Sequence, residues 1–408
     1  MKILQINTTV NTGSTGRIAE EIGFQLKNAG WESYIAGQII RPSNSNIIKI
    51  GNKLDRYLHG IQTRIFDNHG FASKKSTEIL IKKIKNIDPD IIHLHNLHGY
   101  YIHVGKLFDY LKISEKPVVW NIHDCWSFTG HCSYFDGVNC YRWKTVCYKC
   151  PNKHGYPSSW ILDNSTRNFQ LKKSVFSGIK RITIVPTSHW LYNNLSESFL
   201  NIYPTTVIHT SIDLNVFKPS ETDVPKLWDG NMKWDKYILG VSNIWNKRKG
   251  LDDFIKLRNL LPNNVGIILI GLKKNQIKDL PEGIWGIERT ENIQKLALFY
   301  SQAEVFVNPT YMDNFPNVNV EALACGTPVI TYQTGGSPEA IDEKTGIVVP
   351  KGDINSLAKA VETVLSRGKE FYKDACRQRA ETCFNPNIQI NKYIEIYEKL
   401  LGRNNDNY

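Results

Sequence analysis

The 408-residue sequence lacks any apolar run near the roughly 20 residues that a membrane-spanning helix needs. Its longest apolar stretches, such as residues 265–271, have the length of a strand. The first residues, Met1 to Asn7, are too few and too polar to form the apolar region of a signal peptide. We therefore expect a cytoplasmic protein.

The chain also lacks a long block of lysine or arginine, although its formal net charge is +11. Nucleic-acid-binding arms usually contain such blocks, so we expect no nucleic-acid partner. A positive net charge instead favours a phosphate-bearing ligand and docking at an anionic membrane surface. A soluble protein that is basic for no functional reason is the alternative.

The full dinucleotide-binding fingerprint is absent as well, which argues against a nicotinamide-dependent enzyme. A shorter glycine pattern stands between the first predicted strand and the first predicted helix, where Gly13 and Gly16 are separated by two residues. Glycines in such a loop allow the backbone to approach a ligand closely. This spacing alone is weak support for a ligand site.

Short apolar runs alternate with amphipathic stretches through both halves of the chain. Strands are predicted at 3–7, 90–95, 117–122 and 181–186 in the first half, and at 237–241, 265–270, 305–308 and 328–332 in the second. Repeated strand–helix alternation is typical of parallel sheets covered on both faces, an α/β fold. We predict two doubly wound, Rossmann-like domains that face each other across a cleft.

Breaks in this pattern indicate the domain boundaries. We predict an N-terminal domain over 1–215, with a cysteine-rich insertion at about 124–159, and a C-terminal domain over 216–384. A polar block, 221–235, follows the passage between them. Residues 385–408 are predicted as a C-terminal helix that packs back on the first domain and ends in a disordered polar tail, 402–408.

The segment after the predicted strand 305–308 is the most informative, because ligands of open α/β sheets bind beyond the carboxyl ends of strands. Pro316 suits a helix start and Gly326 a helix stop. The N–H groups at such a helix start suit a phosphate, and the acids Asp313 and Glu321 can accept hydrogen bonds from sugar hydroxyls. Acids stabilised only by the helix dipole are the alternative.

A basic turn, Lys247-Arg248-Lys249-Gly250, follows the first predicted strand of the second half. Cations at this place can neutralise the charge that develops on a leaving diphosphate. A solvated turn without a ligand is the alternative.

Together these segments resemble a known signature. Asp313 precedes Glu321 by eight positions, and the chain continues as Ala322-Leu323-Ala324-Cys325-Gly326-Thr327-Pro328-Val329. This resembles the retaining glycosyltransferases of the GT-B fold, specifically glycosyltransferase family 4, which carry two acids followed by Ala-x-Ala/Ser-x-Gly-x-Pro-Val. The resemblance implies that Asp313 binds hydroxyls of the transferred sugar and that Glu321 binds the nucleotide ribose. It also implies that the backbone of one stretch faces the sugar and diphosphate: Asn314, Phe315, Pro316, Asn317 and Val318.

Two positions depart from the family pattern. The first acid of the family is usually Glu, which is one methylene longer than Asp313, and an expected Arg is Asn243 here. We predict that Arg248 replaces that Arg beside Lys249, which matches the family's Lys before Gly. The resemblance further implies that the loop with Gly13 and Gly16 lies against the donor phosphates or the acceptor, and that no catalytic metal is needed.

In the first half, His123-Asp124 ends a predicted strand. The family carries a His-Asp pair here whose His contacts the donor sugar, so the resemblance assigns that role to His123. A structural histidine is the alternative. His93, His95 and His98 follow another strand and could help to shape the acceptor site.

Five of the eight cysteines lie between Cys125 and Cys150, and in a reducing cytosol such clustering favours metal binding. The predicted ligands of a structural zinc ion are Cys132, Cys140, Cys147 and Cys150, with Cys125 and His131 as alternates. Only the last pair has the C-x2-C spacing typical of zinc sites, so free thiols and a disulfide stay open. A subset of bacterial polysaccharide transferases has a similar insertion, which implies a lid facing the acceptor.

We therefore predict a retaining glycosyltransferase that moves a sugar from a nucleotide-diphosphate sugar to a glycan or lipid-linked acceptor. Cell-surface polysaccharide synthesis at the inner face of the plasma membrane would suit the charge. The predicted catalytic residues are His123, Arg248, Lys249 and Glu321. A sugar-nucleotide epimerase of the same fold is one alternative. A zinc-bearing nucleic-acid-binding protein is another, but it leaves the acid pair unexplained.

Overall fold

The computed structural model describes residues 1–220, 234 and 236–403, which fall in two compact units. Residues 1–209 and the chain from Gln389 onward form the first unit, and residues 210–388 form the second. Apart from Trp234, the polar block 221–235 lies outside the described residues. Residues 404–408 of the predicted tail lie outside them too.

The first unit is built on a parallel sheet of six strands in the order β5-β3-β1-β6-β7-β8. These strands are β1 (Lys2–Ile6), β3 (Glu32–Gly37), β5 (Asn46–Lys49), β6 (Ile91–Leu94), β7 (Val118–Ile122) and β8 (Ile182–Pro186), and β2 (Thr9–Val10) pairs separately with β4 (Ile39–Ile40). The helices are α1 (Gly13–Asn28), α2 (Lys53–Phe66), α3 (Lys74–Ile87), α4 (Val104–Ser114), α5 (Ser165–Phe176) and α6 (His189–Ser196). Strands β6, β7 and β8 are buried along their whole length, as expected where both sheet faces are covered.

The second unit repeats this architecture, with the strand order β11-β10-β9-β12-β13-β14 and every pairing parallel. Its strands are β9 (Lys236–Val241), β10 (Val265–Ile270), β11 (Ile284–Ile287), β12 (Val305–Asn308), β13 (Val329–Tyr332) and β14 (Gly346–Val349). Its helices are α7 (Leu251–Arg258), α8 (Lys274–Lys278), α9 (Ile293–Gln302), α10 (Asn317–Ala324), α11 (Ile354–Arg367) and α12 (Glu370–Cys383). Both sheets have the strand order of the Rossmann fold, so the predicted α/β class with two Rossmann-like units is confirmed.

The last helix, α13 (Pro386–Leu401), belongs to the first unit from Gln389 onward. The Tyr397 hydroxyl lies 2.8 Å from Nδ1 of His93, and the Asn121 side chain donates to the Tyr393 hydroxyl at 2.5 Å. Both tyrosines are buried and pack against apolar side chains from β1 and β7. Helix α13 thus completes one face of the first sheet.

The cysteine-rich insertion, 124–159, is fully described and contains neither a strand nor an α-helix, only three short 3₁₀ turns. Its interior is aromatic: Trp126, Phe128, Phe135 and Trp143 are buried. These rings provide the apolar packing that its few aliphatic residues cannot. Among the described residues, we find no helix with both the length and the apolar character to cross a bilayer.

Candidate functional site

The sheet of the second unit reverses its winding direction between β9 and β12, and the loops after these two strands therefore diverge and leave a crevice. One loop carries the basic turn and the other carries Asp313. They are locked together, because the Tyr311 N–H donates to the Arg248 carbonyl at 2.8 Å. Gly250 has a φ of +74°, and a Cβ there would lie 2.2 Å from the Pro309 carbonyl oxygen. Only glycine fits at this position.

The cation and the acid predicted from sequence meet at this crevice. The Lys249 ammonium forms an ion pair with Oδ2 of Asp313, and the side chains of both residues are largely shielded, with 18 % and 14 % exposed. Arg248 lies beside them, and its guanidinium donates to the Met312 carbonyl at 2.7 Å. The arrangement places two cations and a carboxylate on adjoining loops.

Glu321 lies on α10 within the same unit, and its Oε2 accepts a hydrogen bond of 2.8 Å from the Tyr300 hydroxyl. Tyr300 is fully buried. Burial, and secondarily the Glu321 charge, hold the pKa of Tyr300 well above its usual range, so the phenol stays a neutral donor. Tyr300 therefore orients the carboxylate, a role that sequence reasoning missed.

The stretch 314–318 leads into helix α10, which starts at Asn317 as predicted, with Pro316 as its N-cap residue. The side chains of Asn314 and Phe315 are buried, and the Phe315 ring lies 5.8 Å from that of Phe384. Oδ1 of Asn317 accepts a hydrogen bond from Thr210 at 2.8 Å, and Val318 is half-buried. Because these side chains serve the packing of the unit, a ligand here would meet mainly backbone.

A hydrogen-bond network that the sequence analysis did not identify fixes this helix. Asn319 accepts from Asn308 at 2.8 Å and donates to the hydroxyl of Ser337 at 3.1 Å. Next to it, Gly335 has a φ of +54°, and a Cβ there would lie 1.8 Å from the Asp313 carbonyl oxygen. The signal that could have found this contact is the run Thr334-Gly335-Gly336, which begins two positions after the end of β13.

In the first unit, His123 follows β7 and is half-buried. Burial lowers the pKa of His123 to about 4, so the ring is neutral at pH 7. Asp124 is bound by His98, whose Nε2 lies 2.6 Å from Oδ2, and its other oxygen accepts from the Trp126 N–H at 2.9 Å. Tyr156 completes this cluster at 3.0 Å from Nδ1 of His98 and was not predicted.

His93 and His95 are fully enclosed and hydrogen-bonded in the interior of the first unit. His93 bonds Asn121 at 3.0 Å, and His95 bonds Gln5 at 2.9 Å. Burial lowers the pKa of His93 to about 3 and that of His95 well below its usual range. These contacts give both rings a structural role, whereas His98 lies nearer the surface.

The two predicted loop glycines differ in their surroundings. Gly13 is the first residue of α1, with a φ of +67° and open space where a Cβ would lie. Gly16 lies inside the helix rather than in a loop, and a Cβ there would lie 2.6 Å from Oγ1 of Thr9. Close packing of α1 on β2 thus explains Gly16 without a ligand.

The four predicted zinc ligands lie in the insertion, but their sulfur atoms do not surround one common position. The Cys132 and Cys150 thiols share a hydrogen bond, which lowers the pKa of Cys150. The Gly130 N–H donates to the sulfur of Cys147 at 3.1 Å, and Cys140 is half-buried. Across the described residues of the insertion, no three potential ligand atoms lie within 4.8 Å of one another.

His131, predicted as an alternate ligand, is buried beside these thiols. Its Nδ1 lies 2.6 Å from Oδ1 of the equally buried Asp67. Its Nε2 is buried and has no hydrogen-bond partner among the described residues. In metal-binding histidines, a carboxylate commonly holds one ring nitrogen through a hydrogen bond and leaves the other nitrogen available for the metal.

Comparison with known proteins adds to this geometry. Residues 235–367 match the family model described as Glycosyl transferases group 1, a third of the chain that contains Arg248, Lys249, Asp313 and Glu321. WcaC of Escherichia coli strain K12, provisionally named a colanic acid biosynthesis glycosyl transferase, is 21 % identical over 98 % of this chain and 100 % of its own length.

Solved structures resemble nearly the whole chain. Sucrose-phosphate synthase of Thermosynechococcus elongatus superposes with a TM-score of 0.71 at 18 % identity, covering 98 % of this chain and 99 % of its own. Anabaena HepE, solved in complex with UDP-glucose, does so with a TM-score of 0.67 at 14 % identity, covering 98 % and 100 %. At such identities the likeness establishes the fold, which is GT-B as predicted. The chain therefore carries a glycosyl transferases group 1 domain over residues 235–367 and is a glycosyltransferase with two Rossmann-like units.

Proposed function

We propose that this chain transfers a sugar, with retention of anomeric configuration, from a nucleotide-diphosphate sugar to a lipid-linked glycan acceptor in cell-surface polysaccharide synthesis. The proposed donor is supported by HepE, whose solved complex contains UDP-glucose. The proposed pathway class is supported by WcaC, which matches the chain over its full length. The basic net charge suits an acceptor presented at the inner face of an anionic membrane.

The observation that carries the proposal is the ion pair between Lys249 and Asp313 at the switch point of the second sheet. A nucleotide-diphosphate sugar presents phosphate oxygens directly beside sugar hydroxyls. Lys249 and Arg248 would take the phosphates, while Asp313 would accept hydrogen bonds from the hydroxyls. Glu321, held by Tyr300, would bind the ribose.

In the proposed reaction the bond between the anomeric carbon and the diphosphate oxygen breaks, and its electron pair stays on the diphosphate. A new bond forms between the anomeric carbon and the acceptor oxygen, whose proton passes to the departing phosphate oxygen. Lys249, Arg248 and the N-terminal backbone of α10 would stabilise the developing negative charge. His123, uncharged at neutral pH, would serve as a hydrogen-bond partner of the donor sugar.

A thermal-shift screen of the purified chain against nucleotide-diphosphate sugars tests donor binding. We expect stabilisation by one or a few donors, and by the matching nucleoside diphosphate, through mass action. Turnover is then followed by NMR of the product anomeric proton, with and without acceptor. Acceptor-independent conversion of the donor sugar would instead identify the epimerase, and a product of inverted configuration would contradict retention.

We also propose that the insertion holds a structural zinc ion, with ligands from Cys132, Cys147, Cys150 and either Cys140 or His131. The buried Nε2 of His131, oriented through Asp67, supports a role beside the thiols. Tetrahedral zinc needs sulfur–sulfur separations of about 3.8 Å, so binding would draw the ligands together.

Elemental analysis and thiol titration of purified protein test this site. We expect one zinc per chain, lost in Cys150→Ser. Comparing Cys140→Ser with His131→Gln then identifies the fourth ligand, because only its loss should weaken zinc retention. A metal-free protein with every thiol titratable would contradict the proposal.

A further inference from the structure

Helix α2 has the reverse of the usual amphipathic pattern. The residues it buries are His59, Gly60 and Thr63, which are polar or small. The opposite side carries an apolar stripe at helical spacing: Leu54, Tyr57, Leu58, Ile61 and Ile65. Leu54 is 63 % exposed and Tyr57 67 %. A surface helix normally turns its apolar side chains toward the protein interior, so this exposure needs a cause.

The buried side of α2 is held by specific hydrogen bonds. Nδ1 of His59 lies 2.8 Å from the Ser73 hydroxyl, and Nε2 accepts from the Gly70 N–H at 3.2 Å. The Thr63 hydroxyl donates to the His59 carbonyl at 2.9 Å. The Thr63 bond stays within the helix, but rotating α2 to bury the stripe would break the bonds of His59 to Ser73 and Gly70 inside the protein. The outward direction of the leucines is therefore built into the fold.

A second apolar segment continues the same surface. Trp160, Ile161 and Leu162 are exposed, the first two by 63 % and 62 %. The Trp160 N–H donates to the Arg64 carbonyl at 2.7 Å, and the Leu162 N–H donates to the Ile65 carbonyl at 3.2 Å. The segment is thus anchored along the end of α2. We call the stripe and this segment together the α2 face.

The α2 face includes a positively charged groove. A cavity of about 640 Å³ lies between α2 and Trp160, and its lining includes the cations Lys53, Arg56 and Arg64 but no acid. The Arg64 guanidinium lies 5.7 Å from the ring centre of Tyr100 and 5.5 Å from that of Trp160. Apolar, aromatic and cationic side chains on one surface helix are the combination found at membrane–water interfaces.

We propose that the α2 face docks this chain on an anionic lipid bilayer, with the leucines and Trp160 at the level of the headgroups and the cations on lipid phosphates. The inference rests on the proposed function, in which the acceptor is lipid-linked. The three cations that line the groove favour an anionic bilayer over an uncharged apolar partner. Docking through a single face would fix which side of the first unit meets the membrane.

Sedimentation with vesicles tests the proposal on the full chain. Vesicles of phosphatidylcholine with phosphatidylglycerol should bind the protein at low salt, and vesicles of phosphatidylcholine alone should bind it far less. The double variant Leu54→Ser with Leu58→Ser should lose at least about tenfold in partitioning. Lys53→Glu with Arg56→Glu should remove the preference for anionic vesicles.

The matched control is Ile113→Ser on α4, because Ile113 is the same kind of exposed apolar side chain, 82 % exposed, outside the α2 face. It should bind vesicles like the wild type. Equal binding by wild type and the double variant, equal loss in the Ile113 control, or no binding to anionic vesicles at low salt would each overturn the proposal. Donor binding by thermal shift is measured in parallel, because its failure would count against the proposed function and not against the α2 face.

Discussion

The two units share one strand order but carry different side chains near the carboxyl ends of their strands, charged in the second unit and neutral imidazoles in the first. All eleven histidines of the chain lie in residues 1–209, and residues 210–388 contain none. At the switch point of the second unit, full charges face each other in the pair Lys249–Asp313. In the first unit, His93 is buried within β6 and His123 is half-buried just after β7, and both rings are neutral at pH 7.

The difference shows that the Rossmann fold determines where a ligand can bind, whereas the side chains that follow the strands determine which kind of ligand binds there. A permanent cation next to a carboxylate suits a sugar diphosphate at any physiological pH. Buried neutral imidazoles suit hydrogen bonding to uncharged hydroxyls and make their unit sensitive to acid. The predictions below test whether the second unit binds the charged donor and whether the first unit is the more sensitive to acid.

The largest effect should come from Glu321→Ala in the second unit. Loss of a charged hydrogen-bond acceptor for the donor should lower kcat/KM by roughly 30- to 1000-fold. Steady-state kinetics against donor concentration measures it. Glu291→Ala is the control, because Glu291 is an exposed acid that pairs with Lys295 on the surface of the same unit. Wild-type turnover in Glu321→Ala would remove this residue from the site.

Lys249→Ala should lower kcat by about 10- to 100-fold, because the ammonium would stabilise the leaving diphosphate. Lys249→Arg keeps the charge and should recover part of the loss. Lys256→Ala, on the exposed side of α7, provides the matched control. If both Lys249 variants turned over as wild type, Arg248 alone would have to serve the phosphates.

Acid should destabilise the first unit before the second. The pKa values of His93 and His123 in the folded protein are about 3 and about 4, below the usual value near 6.5. As pH falls below about 6.5, the unfolded chain binds protons that the folded chain does not, so the free energy of unfolding decreases until the folded pKa is reached. Each such histidine contributes up to about 1.4 kcal/mol per pH unit.

Hydrogen exchange followed by mass spectrometry at pH 7 and pH 5 separates the two units in this experiment. Peptides from β6 and β7 should lose protection at pH 5, while those from β10 and β12 should change little. His123→Asn should flatten the pH dependence of the first unit. A uniform loss of protection in both units would contradict the prediction that acid destabilises the first unit before the second.

The smallest effect should come from Tyr300→Phe, which removes the hydrogen bond to Glu321 and leaves the carboxylate in place. We expect KM for the donor to rise by about three- to tenfold with little change in kcat. Tyr237→Phe is the control, because its buried hydroxyl also donates a hydrogen bond, here to the Phe299 carbonyl and not to Glu321. A change in stability alone, equal in both variants, would reduce Tyr300 to a packing role.

The sequence was a good guide wherever one local pattern decides the structure. Strands β10 and β12 have the predicted ends, and α10 starts at Asn317 after Pro316, because apolar runs and proline act over a few residues. The approach of Lys249 to Asp313 could be anticipated too, since both follow strands of one parallel sheet.

Individual side-chain pairings that depend on tertiary packing could not be anticipated. Nothing local indicates that Asp124 binds His98, that Tyr300 orients Glu321, or that Asp67 holds His131. The glycine spacing indicates a ligand loop at Gly16, although the surroundings of this residue in the fold, beside Thr9, already require glycine. The outward-facing leucines of α2 depend in the same way on His59 and its distant partners.

The contacts of helix α13 have a consequence for biosynthesis. Tyr397 joins His93 from 304 positions later in the chain, and Tyr393 joins Asn121 from 272 positions later. In the sequence, the second unit therefore lies between the two parts of the first, and it can fold while translation of the last helix continues. The unit that emerges first from the ribosome must wait for the last helix before its core is complete. During that interval its sheet stays partly uncovered, so the N-terminal half exposes apolar side chains until α13 has been made.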